Sequence, residues 1–96
     1  MKRFILSESA QRDLRAIWAY SIKNWSAKQT DKYIRSLTSS CEALAKNSRI
    51  GRMAYEIKPG LMKLYAGSHT VYYSRDDNGT VYVYRFLHQS QDTSSL

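Results

Sequence analysis

The residues best suited to catalysis stand near the end of the chain, where Arg85 and His88 close a run of β-branched and aromatic residues. A histidine can act as a general acid, and an arginine can stabilise a phosphorane-like transition state, so the pair is compatible with RNA cleavage. That reaction also needs a base and further cations that converge on one phosphate. The candidates for these roles are Glu56, Lys58, Lys63 and His69. The alternative is structural: His88 ends a strand, and Arg85 pairs with a carboxylate or a carbonyl.

The turn between the last two strands decides which histidines share a face. Asn78-Gly79 is the strongest short-range hairpin signal in the chain. A two-residue turn places His69 opposite His88 on one face, whereas a three-residue loop with a bulge places them on opposite faces. The sequence leaves the register between positions 75 and 80 open.

Other catalytic sites and metal sites find little support. The two histidines and one cysteine show none of the spacings of a zinc site. Cys41 lies on a helical stripe, where a buried thiol is usual. The four glycines stand singly at turns, so no glycine-rich phosphate loop is present. We therefore expect no metal and no cofactor.

Length and composition predict one cytoplasmic domain over residues 1–96, with a polar tail from about residue 89. No stretch approaches the roughly 18 consecutive apolar residues of a membrane span. The basic start is followed by only three apolar residues, Phe4 to Leu6, too few for a signal peptide. The lone Cys41 allows no internal disulfide, as expected in a reducing compartment.

The positive charge is concentrated in the first half of the chain. Residues 1–52 contain eleven Lys or Arg against four acids, whereas the remainder is balanced and the total is +7. This charge favours an acidic protein partner or nucleic acid and mainly raises the rate of encounter. The alternative is a solvated basic surface that keeps the protein soluble.

Two helices are predicted after a short first strand from Lys2 to Leu6. Ser7 can cap the first helix, and Ser26 with Gln29 forms a capping box for the second. We expect Asn47 to end the second helix in a left-handed conformation. The predicted buried stripes are Ala10, Leu14, Ile17, Trp18, Ile22 and Trp25, then Tyr33, Ile34, Leu37, Cys41, Leu44 and Ala45.

Four strands are predicted to follow the helices. Met53–Lys58 and Leu61–Ala66 flank a turn at Pro59-Gly60, and the two long strands flank Asn78-Gly79. The order β-α-α-β-β-β-β predicts an α+β fold, in which an antiparallel β-sheet packs on an N-terminal helical hairpin.

These elements resemble those of the RelE/ParE superfamily, and the details are most similar to its ParE branch. The matching pieces are Ala10 to Arg15, Trp25, Ile50-Gly51, Glu56 to Gly60, Lys63-Leu64, Gly67 to His69, Tyr72-Tyr73, Arg85 to His88 and Asp92. They occur in the family's order over nearly the whole chain.

The resemblance implies a ParE-type toxin that inhibits DNA gyrase, performs no chemistry of its own and is neutralised by a ParD-type antitoxin. Operator DNA would be bound only through the antitoxin complex. The alternative is a RelE-type, ribosome-dependent mRNA endonuclease with His88, Arg85, Lys63 and Glu56 as catalytic residues. That branch commonly carries Tyr, His or Arg just after the position of His88, whereas this chain has Gln89-Ser90-Gln91. A third possibility is a toxin-like domain that acts only in operator binding.

The contact surfaces are likewise predictions. The resemblance assigns gyrase contact to a protruding tail, with His88, Gln89 and Asp92. A sheet covered on one side leaves an aromatic face that needs a partner. We expect this face and the basic helix to bind the antitoxin through Arg12, Arg15, Lys23, Tyr72, Tyr82 and Tyr84. Trp18, Tyr20, Trp25 and Tyr33 could form an aromatic groove, although we expect Trp18 and Trp25 to be core and hairpin-corner residues.

Overall fold

The computed structural model describes residues 3–94 and 96 of the chain. The elements are β1 (Phe4–Leu6), α1 (Glu8–Asn24), α2 (Ala27–Lys46), β2 (Arg52–Met53), β3 (Met62–Ala66), β4 (His69–Arg75) and β5 (Val81–His88). Their order confirms the prediction, although Lys2, the predicted start of the first strand, lies outside the described residues.

The helix starts form as their capping residues predict. Ser7 Oγ accepts a hydrogen bond from the Ala10 amide at 2.9 Å, and Ser26 Oγ accepts one from the Gln29 amide at 3.1 Å. Each bond satisfies an amide that has no partner within its own helix. Only Trp25 and Ser26 separate the helices, so the chain turns back at once and the two helices pack together.

The predicted end of α2 is wrong in its mechanism. Asn47 has φ −135° and ψ 107°, which is extended rather than left-handed. The Leu44 carbonyl, which the helix leaves without a partner, instead accepts a hydrogen bond from Arg75 Nη1 at 2.8 Å. A side chain from the sheet therefore caps this helix.

The sheet has the strand order β1-β5-β4-β3-β2. Strands β2 to β5 form the predicted antiparallel meander. Strand β1 pairs with β5 in parallel, Phe4 lying opposite Val81. This parallel pair is possible because the two helices provide the long crossover that it requires.

The segment between β2 and β3 differs from its prediction. The strand predicted over Met53–Lys58 is confined to Arg52–Met53, and the chain then turns so that the Ile57 and Lys58 amides both donate to the Ala54 carbonyl. The Pro59-Gly60 turn is confirmed: the Leu61 amide donates to the Lys58 carbonyl at 3.2 Å, and Gly60 has φ 80°. Proline before a glycine with positive φ is the arrangement of a type II turn.

Both faces of the sheet are covered, but unequally. The larger core lies between the helices and the sheet and consists of Ala10, Leu37, Cys41, Leu44, Ala45, Val71, Tyr73, Val81, Val83 and Phe86. A smaller cluster lies on the opposite face, where Ala54, Leu61, Tyr72 and Leu87 are buried with Ile57 and Leu96 packed against them. The expectation of a bare second face is therefore wrong at its centre.

The hairpin register combines a longer loop with a distant bulge. Asp76 and Thr80 close a three-residue loop, since the Asp76 amide donates to the Thr80 carbonyl at 3.0 Å. This loop alone would place the histidines on opposite faces. The register shifts at Tyr72 and Tyr73, where Tyr84 is the extra residue, and this shift restores the pairing of His69 with His88.

Gly51 provides a sharp test of packing beneath the sheet. A Cβ at Gly51 would lie 1.9 Å from the hydroxyl of Tyr73, which is fully buried, and φ there is +85°. We expect Gly51→Ala to lower the free energy of unfolding by about 3 kcal/mol, since it adds overpacking to a strained backbone. Urea unfolding measures the change.

Gly60→Ala is the matched control, because Gly60 has φ +80° but no neighbouring atom within 4 Å of the place that a Cβ would occupy. Gly60→Ala should lower the free energy of unfolding by about 1 kcal/mol, which is the cost of a positive φ for alanine without any steric clash. Tyr73→Phe in the Gly51→Ala background should recover part of the difference. Equal losses for the two glycine variants would contradict this account of the close approach.

Candidate functional site

Arg85, the strongest catalytic candidate, is held by an acid on α1. Its Nε donates to Asp13 Oδ2 at 2.7 Å, and its Nη2 donates to Asp13 Oδ1 at 2.9 Å. The side chains are 27% and 14% exposed, so this bidentate pair is largely removed from water. The hydrogen bond to Asp13 raises the pKa of Arg85 above its ordinary value, with burial acting in the opposite direction.

The same carboxylate also closes an open strand edge. Strand β1 pairs with β5 only as far as Val83, so the rest of β5 has no strand beside it on that side. Asp13 Oδ2 accepts the Phe86 amide at 2.9 Å, and Ser7 Oγ donates to the Tyr84 carbonyl at 2.8 Å. Side chains of α1 and its cap thus replace the missing strand.

Lys63 and Glu56 lie on the sheet face away from the helices. Met62 and Leu64, the neighbours of Lys63 along β3, pack against the helix-side core, so alternation directs Lys63 to the other face. Lys63 Nζ lies 3.1 Å from Glu56 Oε1. This hydrogen bond raises the pKa of Lys63. The pKa of Glu56 is lowered mainly by a backbone hydrogen bond and then by the hydrogen bond to Lys63.

His88 and His69 lie together on the helix side. The strands pair these residues directly, and their rings meet edge to face with centroids 5.4 Å apart. His88 Nδ1 lies 2.7 Å from Ser90 Oγ. The predicted catalytic set is therefore divided between the two sheet faces, with Arg85 committed to Asp13.

His69 is fixed by a tyrosine from α2. The Tyr33 hydroxyl lies 2.6 Å from His69 Nδ1 and accepts the Ser68 amide at 3.0 Å. Gly67 permits this approach, because a Cβ there would lie 2.7 Å from the Tyr33 ring. Burial lowers the pKa of His69, His88 lowers it further, and Asp13 opposes the shift.

An aromatic groove of about 420 Å³ opens above these histidines. It is lined by Ala16, Ile17, Tyr20, Ser21, Trp25, Tyr33, Ser68, His69 and His88. Trp25 and Tyr33 meet edge to face with centroids 5.5 Å apart. Three of the four aromatic residues proposed from sequence for a groove are thus confirmed in one, whereas Trp18 does not line it.

The expectation of core and hairpin-corner residues holds for the corner only: Trp25 lies between the two helices, but neither Trp18 nor Trp25 is buried in the core. They are 49% and 39% exposed, respectively. Both occur on the apolar stripe of α1, but a small sheet covers only the centre of that stripe, which consists of Ala10, Leu14 and Ile17. The sequence could not place His69 in the groove, because it left open the hairpin register that decides whether His69 lies opposite His88.

The tail is anchored rather than protruding. The Gln89 amide donates to the Ser68 carbonyl at 3.0 Å, and Gln91 Oε1 accepts the His88 amide at 2.6 Å. Leu96 packs against the small cluster on the second sheet face. His88, Gln89 and Asp92 nevertheless have exposed side chains, and Asp92 accepts hydrogen bonds from Ser94.

The residues predicted to contact the antitoxin fall into two groups. Arg12, Arg15 and Lys23 are exposed on α1. Tyr82 and Tyr84 are 37% and 40% exposed on the second sheet face. Tyr72 is only 6% exposed, because the segment between β2 and β3 covers it, so very little of its surface is available to a partner in this structure.

Within residues 3–94 and 96, no helix is both long enough and apolar enough to cross a bilayer. In the same ranges, no three His, Cys, Asp or Glu side chains are grouped so that they could hold a metal ion. The Cys41 thiol is buried, and burial raises its pKa to about 12.

The fold of two N-terminal helices on a mostly antiparallel five-stranded sheet is that of RelE/ParE-like proteins. A structure of a chromosomal ParDE toxin–antitoxin system from P. aeruginosa superposes with a TM-score of 0.76 at 14% identity, covering 92% of this chain and 95% of that one. The RelBE2 toxin–antitoxin complex from Mycobacterium tuberculosis gives a TM-score of 0.71 at 17% identity, covering 94% and 93%.

Sequence similarity is more specific than the fold. The family model described as the ParE toxin of the type II toxin–antitoxin system parDE matches residues 4–93. Toxin ParE1 of Mycobacterium tuberculosis is 43% identical over 90 residues, which cover 94% of this chain and 92% of that protein. Toxin ParE1 of Caulobacter vibrioides is 34% identical over 92 residues, covering 96% and 94%. The chain belongs to the ParE toxins of type II toxin–antitoxin systems.

Removing Asp13 should expose its structural role. Asp13→Ala removes the carboxylate that pairs with the Arg85 guanidinium and accepts the Phe86 amide, so we expect the free energy of unfolding to fall by about 2–3 kcal/mol. The neighbouring Arg12→Ala removes an exposed charge and should change it by less than about 0.5 kcal/mol. Similar urea midpoints for the two variants would contradict this role.

His69 should make stability depend on pH. A pKa below the ordinary 6.5 means that the unfolded chain binds the proton more readily. His69 thus contributes its full stability above about pH 6.5 and loses it as the pH falls toward the folded-state pKa, by at most about 1.4 kcal/mol per pH unit. Urea unfolding between about pH 7.5 and 5.5 should show a steeper decline for the wild type than for His69→Gln. Parallel declines would refute this assignment.

Proposed function

We propose that this ParE toxin acts by binding and not by breaking bonds, that its target is DNA gyrase in the cytoplasm, and that a ParD-type antitoxin neutralises it. The observation that carries the proposal is the Asp13–Arg85 ion pair. Two hydrogen bonds of the Arg85 guanidinium are directed at the Asp13 carboxylate, which leaves this arginine poorly placed to stabilise the negative charge of a phosphoryl transition state.

The separation of the other candidates supports the same conclusion. Lys63 and Glu56 pair with each other on one sheet face, whereas His88 lies in the groove on the other face. General acid–base catalysis needs these groups within hydrogen-bonding reach of one substrate atom. This separation disfavours the alternative function, an mRNA endonuclease. A supercoiling assay run beside a message-cleavage assay distinguishes gyrase inhibition from mRNA cleavage.

The proposed gyrase contact is the turn after β5, with His88, Gln89 and Asp92. Backbone hydrogen bonds from Gln89 to Ser68 and from His88 to the Gln91 side chain hold this turn in place. A held turn loses little conformational entropy when it binds. It is therefore better suited to a specific contact than the free tail expected from the sequence.

The proposed antitoxin contact begins with the basic surface of α1. Arg12, Arg15 and Lys23 project into solvent, and an acidic segment would be attracted to them from a distance. Tyr82 and Tyr84 would supply apolar contact on the second sheet face. Tyr72 could take part only if the segment that covers it moved.

The proposal predicts that the purified protein inhibits supercoiling by DNA gyrase and leaves mRNA intact on translating ribosomes. His88→Ala and Asp92→Arg should each raise the concentration needed for half-inhibition by about tenfold, as expected from loss of an important interface contact. Glu42→Ala, which changes an exposed acid on α2, is the control. Unimpaired supercoiling together with cleaved message would establish the endonuclease instead.

The charge argument has its own test. Reversal of Arg12, Arg15 and Lys23 to Glu should slow association with the antitoxin by about tenfold or more at low salt, because steering depends on the local field. Reversal of Lys28, Lys32 and Lys46, also exposed, changes the net charge equally on a different surface. Stopped-flow association rates compare the two triple variants. If both slow the reaction equally, net charge explains the effect and the α1 surface is not specific.

A further inference from the structure

A tyrosine flanked by two cations lies on the sheet face away from the helices. Tyr65 follows Lys63 by two residues on β3, so both side chains project from the same face. Arg52 on the edge strand β2 pairs directly with Lys63. We call Arg52, Lys63 and Tyr65 the cationic tyrosine patch.

The geometry of the patch leaves the tyrosine ring accessible. The Arg52 guanidinium carbon lies 5.8 Å from the Tyr65 ring centroid, and Lys63 Nζ lies 5.7 Å from it. Tyr65 is still 52% exposed. A large apolar ring that remains half exposed beside two positive charges offers both a stacking surface and anion-binding groups.

A shallow hollow of about 470 Å³ adjoins the patch. It is lined by Tyr65, Thr70, Tyr72 and Gln89. The side-chain Nε2 of Gln89 donates to the Gly67 carbonyl at 3.2 Å, and this hydrogen bond orients the side chain. The hollow thus combines an aromatic wall with an oriented polar group.

We infer that the cationic tyrosine patch binds single-stranded nucleic acid, with an unpaired base stacked on Tyr65 and its phosphates near Arg52 and Lys63. Glu56 forms an ion pair with Lys63 and partly neutralises its charge, so Arg52 is the principal phosphate ligand. The favoured ligand is single-stranded because a base within a duplex has both faces already stacked, whereas an unpaired base can lie on a tyrosine. This activity goes beyond gyrase inhibition and does not depend on it.

The test is fluorescence anisotropy of labelled DNA and RNA single strands of about 12 nucleotides, with a duplex of equal length beside them. Tyr65→Ala should weaken binding of a single strand by about tenfold, as for loss of one stacked base, whereas Tyr65→Phe should retain it. Arg52→Ala should weaken binding and reduce the salt slope between about 50 and 200 mM by about 0.7, the value for one phosphate contact. Preference for DNA or RNA identifies which strand is the ligand, and either supports the inference.

Matched controls lie on the helix side of the molecule. Trp18→Ala removes an aromatic side chain that is 49% exposed and does not line the groove, and Arg35→Ala removes an exposed arginine of α2 with the same change of net charge as Arg52→Ala. These variants should bind the strands as the wild type does. The inference is overturned if no strand binds, if the controls lose as much affinity, or if the duplex binds equally tightly. It is also overturned if Tyr65→Ala weakens only the antitoxin complex, which would make the patch a protein interface.

Discussion

The fold depends on how α1 closes the unpaired edge of β5. Strand β1 is only three residues long, so most of the outer edge of β5 would otherwise expose its backbone groups. Ser7 and Asp13 provide hydrogen-bond partners for the backbone of β5, and Arg85 neutralises the charge of Asp13 by forming an ion pair with it. Because a buried carboxylate is stable only when it is paired, the position of α1 and the conformation of Arg85 are coupled.

The bulge in β5 coincides with the start of this edge. The extra residue, Tyr84, lies where pairing with β1 ends, and its carbonyl is the one that accepts the Ser7 hydroxyl. Beyond the bulge, the register again places His88 opposite His69 on the side of the helices. The bulge therefore lies where α1 begins to close the edge, and its change in register sets the position of the two histidines that line the aromatic groove.

The sequence predicts what depends on local patterns, and it is weaker where distant elements meet. Ser7 and Ser26 mark helix starts because capping is local. Asn47 does follow the last residue of α2, but its conformation is extended, and Arg75, distant in sequence, donates to the carbonyl of Leu44. The second sheet face is covered because residues after β2 fold over Tyr72, which strand alternation alone does not reveal. The exposure of Trp18 likewise depends on how much of α1 the small sheet can cover.

The most direct measurement of the central claim replaces both members of the ion pair, Asp13→Asn together with Arg85→Gln. The asparagine oxygen can still accept the Phe86 amide, and the two amides can still bond each other without charge. If the guanidinium serves the fold, the double variant, shown to be folded by circular dichroism, will still arrest bacterial growth when it is induced. A folded double variant that no longer arrests growth, beside a wild type that cleaves message, would contradict the account.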